Sequence, residues 1–159
     1  MVTDSHEWVF LLHRLPREPS APRIALWRAI RRLGALLLAD GLVALPASPR
    51  NIEHLEWLAA GIEEQGGSAS VWVARPTSAA TAERLAEQGR ASIDDEYRAV
   101  EREAAAEAEL GLVETRRLVR RLRGQLRRIG SRDYFHAPGG ARARDLVEQL
   151  AATVAKMPV

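Results

Sequence analysis

Cysteine is absent from this 159-residue chain, and lysine nearly so. The first absence excludes disulfides, thiolate metal sites and cysteine nucleophiles. The second is a bias in kind rather than in charge: of 23 basic residues, 22 are arginine and the remaining one is Lys156. Long apolar runs are missing too. The longest, GALLLA, falls far short of the roughly 20 residues a bilayer span needs, so no membrane association is expected. The N-terminus carries no basic stretch leading into an apolar one, so no secretory signal is expected and cytoplasmic residence is the default. No HExxH, GxSxG, GxGxxG or Walker loop occurs. The four histidines, His6, His13, His54 and His136, do not stand at metal-ligand spacing. These absences lead us to expect neither a catalytic set nor a metal or cofactor, and hence a protein that is not an enzyme.

What the chain does have is ordinary globular content, 47% hydrophobic and 28% charged, with charge in blocks. A net charge of +2 conceals them. Residues 13–32 carry six arginines against Glu18 alone, a balance of +5. Residues 83–114 carry ten acids and four arginines, a balance of −6, and residues 115–132 carry eight arginines and no acid. Arginine enrichment suits recognition of phosphate and other oxyanions, because the guanidinium fork matches them. A GC-rich genome would give the same bias.

The hydrophobic pattern divides the chain into a mixed half and a helical half. EWVFLLHRLP (7–16) predicts a strand closed by Pro16. REPSAP is a loop, with Ser20 a candidate N-cap and Pro22 in the first helical turn. The following helix has Leu26, Trp27, Ile30 and Leu33 as its apolar side and ends at Gly34. ALLLADGLVALP (35–46) reads as two strands joined by a type I′ turn at Asp40–Gly41, both residues then needing positive φ. PRNIEHLEWLAAGIEEQGG predicts a helix with Ile52, Leu55, Leu58, Ala59 and Ile62 inward, stopped by Gly66–Gly67. SASVWVARP (68–76) predicts the last strand. The order β-α-β-β-α-β over residues 1–76 predicts an α+β, ferredoxin-like domain, a four-stranded antiparallel sheet with two helices on one face. Its strands are apolar at successive positions, so the other face also asks for a cover, either a second protomer or the rest of the chain. Residues 77–159 predict a helical extension in three parts: an acidic helix, the arginine-rich LVETRRLVRRLRGQLRRIG and the amphipathic ARARDLVEQLAATVA. The arginine-rich helix has an apolar seam of Leu118, Leu122, Leu126 and Ile129; the last helix aligns Leu146, Leu150 and Val154. The glycine pairs at 66–67 and 139–140 read as turns.

Three groups of arginines are candidate binding residues. Arg116, Arg120, Arg123 and Arg127 flank the Leu118 seam on one side, and Arg117, Arg121 and Arg128 on the other. Such a helix can track nucleic-acid phosphates with salt-sensitive affinity. It can equally pair with the acidic helix that precedes it. Arg28, Arg31 and Arg32 form a second basic set, explained as well by solvation. Arg14, Arg17 and Arg23 gather at the start of the first helix, where free backbone N–H groups and the helix dipole favour an oxyanion. His13 reads as structural. The four tryptophans, Trp8, Trp27, Trp57 and Trp72, read as core or interface.

The stretch LPREPSAPRIALWRAIRRLGALLLADGLVALP, followed by LEWLAAGIEEQGGSASVWVARP, resembles the N-terminal domain of the chromate-resistance regulator ChrB. DDEYRAVEREAAAE and the SRDYF loop continue the likeness, which covers nearly the whole chain. Trp27, Arg28, Leu33, Gly34, Asp40–Gly41, Leu45–Pro46 and Trp72 carry it. More distantly, the first half is similar to the middle domain of PaaX-type repressors. The resemblance implies a cytoplasmic, chromate-responsive transcriptional regulator of an efflux operon, with DNA as partner. Full-length members carry a second, C-terminal domain to which these residues do not extend, and chromate sensing can belong there. Small ferredoxin-like nucleases place an aspartate at the end of the first strand; LLHRLP has none. The expectation is therefore a homodimeric regulator that meets DNA, and chromate or a related oxyanion, through arginines. The competing expectation is a protein–protein interaction module whose acidic and basic helices pair internally.

Overall fold

The computed structural model describes residues 7–106 and 111–156. Nine elements follow in chain order: β1 (Trp8–Arg14), α1 (Ala21–Leu33), β2 (Leu36–Ala39), β3 (Leu42–Pro46), α2 (Pro49–Glu64), β4 (Ser68–Ala74), α3 (Ala79–Ala105), α4 (Leu112–Gly130) and α5 (Gly139–Lys156). The chain forms two compact units, Met1–Ala86 and Glu87–Val159.

The first unit is built on one antiparallel sheet of order β2-β3-β1-β4. β1 runs against β3 from Trp8↔Pro46 to Leu12↔Leu42, and against β4 from Trp8↔Ala74 to Arg14↔Ser68. As the inner strands, β1 and β3 supply Val9, Leu11, Val43 and Leu45, all fully buried. α2 packs on β1 and β4, and α1 packs against α2. Leu26 and Ile30 of α1, with Leu55 and Ile62 of α2, are buried too, as are Trp8, Leu36 and Ala44 of the sheet. α2 starts firmly: the Ser48 hydroxyl accepts the Asn51 N–H at 3.1 Å, and buried Asn51 donates to the Pro46 carbonyl at 2.9 Å. Ser20 stands at the N-cap of α1 as expected, but its side chain makes no capping bond. Gly34 ends α1 in the left-handed region, at φ 71°.

Two expectations about this unit are corrected. The β2–β3 turn is not type I′: Gly41 alone takes positive φ, at 79°, and Asp40 does not. A register shift between Leu37 and Ala39 absorbs the difference, so a bulge does what a second left-handed residue would have done. Glycine is still required at position 41, because a Cβ there would stand 2.4 Å from the His13 carbonyl oxygen. Trp27, expected on the apolar side of α1, is also outside. Trp8 is 2% exposed, but Trp27, Trp57 and Trp72 are 55%, 77% and 61% exposed. Trp27 lies roughly 100° around the helix from Leu26 and outside the Leu26–Ile30 stripe. Trp72 is on an edge strand opposite Phe10, with its indole N–H donated to the Ser70 hydroxyl at 2.8 Å.

The second unit closes around Ile93, Tyr97 and Val100 of α3, the α4 seam of Leu118, Leu122, Leu126 and Ile129, and Ala137, Ala143 and Val147. The α4 seam is the expected one. In α5 the seam runs Ala143–Val147–Val154, with Leu146 and Leu150 only half-buried. Gly139–Gly140 open α5 instead of making a turn. A Cβ on Gly139 would meet the Asp94 carboxylate at 2.5 Å, and one on Gly140 would meet the Tyr97 ring at 3.0 Å. That close approach lets the Gly139 N–H donate to Asp94 Oδ1 at 2.7 Å. Nearby the Tyr97 hydroxyl donates to Asp133 Oδ2 at 3.2 Å, and Asp133 Oδ1 accepts the Ala137 N–H at 2.9 Å. DDEYRAV and SRDYFHAPGG are thus the two halves of one polar clamp around a buried ring.

Gly139→Ala should therefore destabilise the second unit by about 1–3 kcal/mol, the usual cost of overpacking, read from urea unfolding by far-ultraviolet circular dichroism. An unchanged midpoint would mean that the approach is not tight. A second expectation concerns His13, half-buried on β1 with its Nε2 atom lacking a partner among the described residues. Burial lowers its pKa below 6.5, opposed by the charge of Asp40. The folded unit thus favours neutral imidazole, so this contribution is complete above pH 6.5 and is lost as pH falls through the lowered value. Unfolding followed by tryptophan fluorescence, which reports the first unit alone, should lose more stability between about pH 7 and 5 in wild type than in His13→Leu. Parallel pH profiles would remove His13 from the account.

Candidate functional site

Burying one narrow seam of α4 dictates where its arginines go. Thr115, Leu118, Val119, Leu122, Leu126 and Ile129 face inward. At roughly 100° per residue, Arg116, Arg120, Arg123 and Arg127 then fall within about 60° of one another on one outer flank. Arg117, Arg121 and Arg128 fall on the other. All seven are exposed.

The two flanks have different neighbours within the unit. α5 packs beside α4, and between them runs an open groove of about 330 Å³ lined by Arg116, Arg120, Arg123 and Arg127, with Val119, Ala151 and Val154 as its apolar lining. Arg123 is held there in a forked ion pair, its Nε 2.9 Å from Glu148 Oε1 and an Nη 2.6 Å from Glu148 Oε2. The pair raises the Arg123 pKa and lowers that of Glu148, chiefly through these hydrogen bonds. On the other flank Arg121 meets Glu103 of α3 at 2.8 Å. Among the described residues, Arg116, Arg117, Arg120, Arg127 and Arg128 have no ionic partner.

The acidic helix does not neutralise the arginine helix as a block. Its carboxylates go mostly elsewhere: Asp94 to Arg98 at 2.8 Å, Glu96 to Arg132, and Glu101 to Arg142 at 3.9 Å. Two further acids of α3, Glu87 and Asp95, pair with Arg90 and Arg98 one turn along the same helix. Glu107 and Glu109 of the acidic segment lie outside the described residues.

The other candidate arginines lie in the first unit. Arg14 ends β1, Arg17 is in the loop that follows and Arg23 is in the first turn of α1, all exposed. Among the described residues, no hydrogen bond or ion pair links the three. Arg28, Arg31 and Arg32 are exposed on α1. Arg31 stacks over the Trp27 ring at 4.9 Å from its centroid, a cation–π contact that the helical i, i+4 spacing permits. Sequence reasoning missed Glu148, whose placement beside Arg123 depends on α4–α5 packing. It missed the groove for the same reason. Helical spacing alone could have flagged the Trp27–Arg31 stack.

The described residues hold no group of three or more histidine, aspartate or glutamate side chains able to bind a metal ion. No helix among them is long and apolar enough to cross a membrane. Comparison with known families matches residues 23–157 to the family described as Protein ChrB, N-terminal. No curated protein and no solved structure matches the chain.

Proposed function

Because the chain belongs to the family of ChrB N-terminal domains, which is related to chromate resistance, we propose that it is a module of a chromate-responsive transcriptional regulator, binding DNA through α4. The observation that carries this reading is the row Arg116–Arg120–Arg127, three exposed guanidiniums without an ionic partner among the described residues. They extend over about 16 Å of helix, at a rise of 1.5 Å per residue. A row of that kind neutralises successive phosphates and supplies affinity without reading base edges. Arg117 and Arg128 widen it, Arg121 and Arg123 join it when Glu103 and Glu148 give way, and Arg28, Arg31 and Arg32 offer a second basic surface. The module is cytoplasmic and performs no reaction of its own. The strand order β2-β3-β1-β4, with α1 and α2 as crossovers, supports a ferredoxin-like reading of residues 1–76, with 77–159 as the helical extension.

A second reading has its own support. Arg121–Glu103 and Arg123–Glu148 are the internal pairs that an interaction module with no nucleic-acid role would use. Salt separates the two. Duplex DNA affinity should fall steeply as salt rises, and the variant Arg116→Ala/Arg120→Ala/Arg127→Ala should flatten the slope of log K against log salt by about 2.7, at 0.9 per phosphate contact. Absence of duplex binding at low salt would leave the interaction module standing.

For the oxyanion, Arg14, Arg17 and Arg23 at the start of α1 remain the proposed site, supported by their exposure and by the donors of a helix N-terminus. Calorimetry should register heat with chromate and with sulfate on wild type and lose it in Arg23→Ala. Equal heats in both proteins, or none, would remove that site.

A further inference from the structure

The outward faces of α1 and α2 carry opposite charge and one exposed tryptophan each. On α1, Ile24, Trp27, Arg28 and Arg31 point away from the buried Leu26–Ile30 stripe. The helix contains four arginines and no acid. On α2, Glu53, Glu56, Trp57 and Glu64 point away from Leu55 and Ile62. This helix contains four glutamates against Arg50. Arg50 is turned to its own helix, with Nε 3.3 Å from His54 Nε2. The two helices pack side by side, yet among the described residues no ion pair joins an α1 arginine to an α2 glutamate.

An indole 77% exposed and another 55% exposed, each framed by charges of one sign, stand on two helices that pack together, the aromatic and arginine composition that interfaces favour. From this arrangement we infer that the α1–α2 layer docks a second copy of the chain, α1 of one protomer lying over α2 of the other. The topology makes the match possible. β1 and β2 are parallel because each is antiparallel to β3, so α1, which joins them, runs against them. β3 and β4 are parallel because each is antiparallel to β1, so α2 runs the other way, and the two helices are antiparallel. A twofold axis along the helices then sets basic α1 on acidic α2 twice, in the self-complementary manner of an isologous dimer. A twofold axis across the helices would set four arginines on four arginines, and like charges at a buried surface reject it. Trp27, with Arg31 already stacked on its ring at 4.9 Å, and Trp57 are the anchors. Tryptophan and arginine are the side chains that dominate interface energetics. Helices of about 20 and 24 Å side by side give a patch at the small end of specific interfaces, so association is concentration-dependent.

This inference does not rest on the DNA reading of α4, since it uses neither α4 nor α5, and it takes Arg28 and Arg31 for the protein contact in place of a second basic surface. Sedimentation equilibrium on the full chain without DNA, at low and at high salt, tests it. Wild type should pass from monomer to dimer with concentration and weaken with salt. Trp57→Ala and Trp27→Ala, both exposed and expected to leave the thermal unfolding midpoint in place, should each weaken association by roughly tenfold or more. Arg28→Glu/Arg31→Glu should abolish the dimer, and adding Glu53→Arg/Glu56→Arg to the same chain should restore it. A monomer at every concentration would overturn the inference. So would a dimer indifferent to the Arg28→Glu/Arg31→Glu exchange, which would have to use another surface.

Discussion

The apolar seam of α4 is the constraint on which the second unit depends. Leu118, Leu122, Leu126 and Ile129 are the residues through which a helix this rich in arginine enters the core. Their burial against Tyr97, Val100, Ala143 and Val147 fixes the rotation of the helix. Once that rotation is set, every guanidinium is outside. The candidate surface is therefore a by-product of packing: the same contacts that stabilise the unit aim its charge. Among the described residues, adjacent acids trim this surface at Glu103 and Glu148.

Much of this was legible in the sequence, and what was not has a physical reason. The β-α-β-β-α-β order could be read because each strand and helix has its own period and its own stop. Gly34, Gly66 and Pro46 mark boundaries that the backbone keeps. The α4 seam could be read because four apolar residues stand alone among charges. The α5 seam was misassigned because that helix offers more apolar positions than one stripe uses, and only packing chooses Ala143 and Val147 over Leu146. The type I′ reading of Asp40–Gly41 failed because a bulge upstream shifts the register, and no residue type announces a bulge. Trp27 was misplaced on the buried side of α1, since size and hydrophobicity state a preference that helix rotation overrides. Glu148, Asp94 and Asp133 were invisible as partners because their contacts span elements distant in sequence.

The molecule thus separates two kinds of surface by composition. α1 and α2 offer aromatic anchors ringed by charge of opposite sign, which suits a protein partner shaped like themselves. α4 offers arginine without aromatics over a shallow apolar lining, which suits a polyanion held by its backbone. Family membership places both within a chromate-resistance-related chain. A DNA-reading role would gain from both together, because two copies bring two arginine rows to one target and raise the effective concentration of the second row once the first is bound.

The near-total choice of arginine over lysine gives the α4 groove a property of its own. A guanidinium is a planar fork of five N–H donors with no acceptor, so the row of Arg116, Arg120 and Arg127 can only donate. Acylation, which needs an amine, cannot serve as the control on this face. What can quiet it is a competing carboxylate or a mobile counter-ion, and Glu148 already shows the form that such a brake takes. The groove is an electrostatic constant, tuned by what is set beside it.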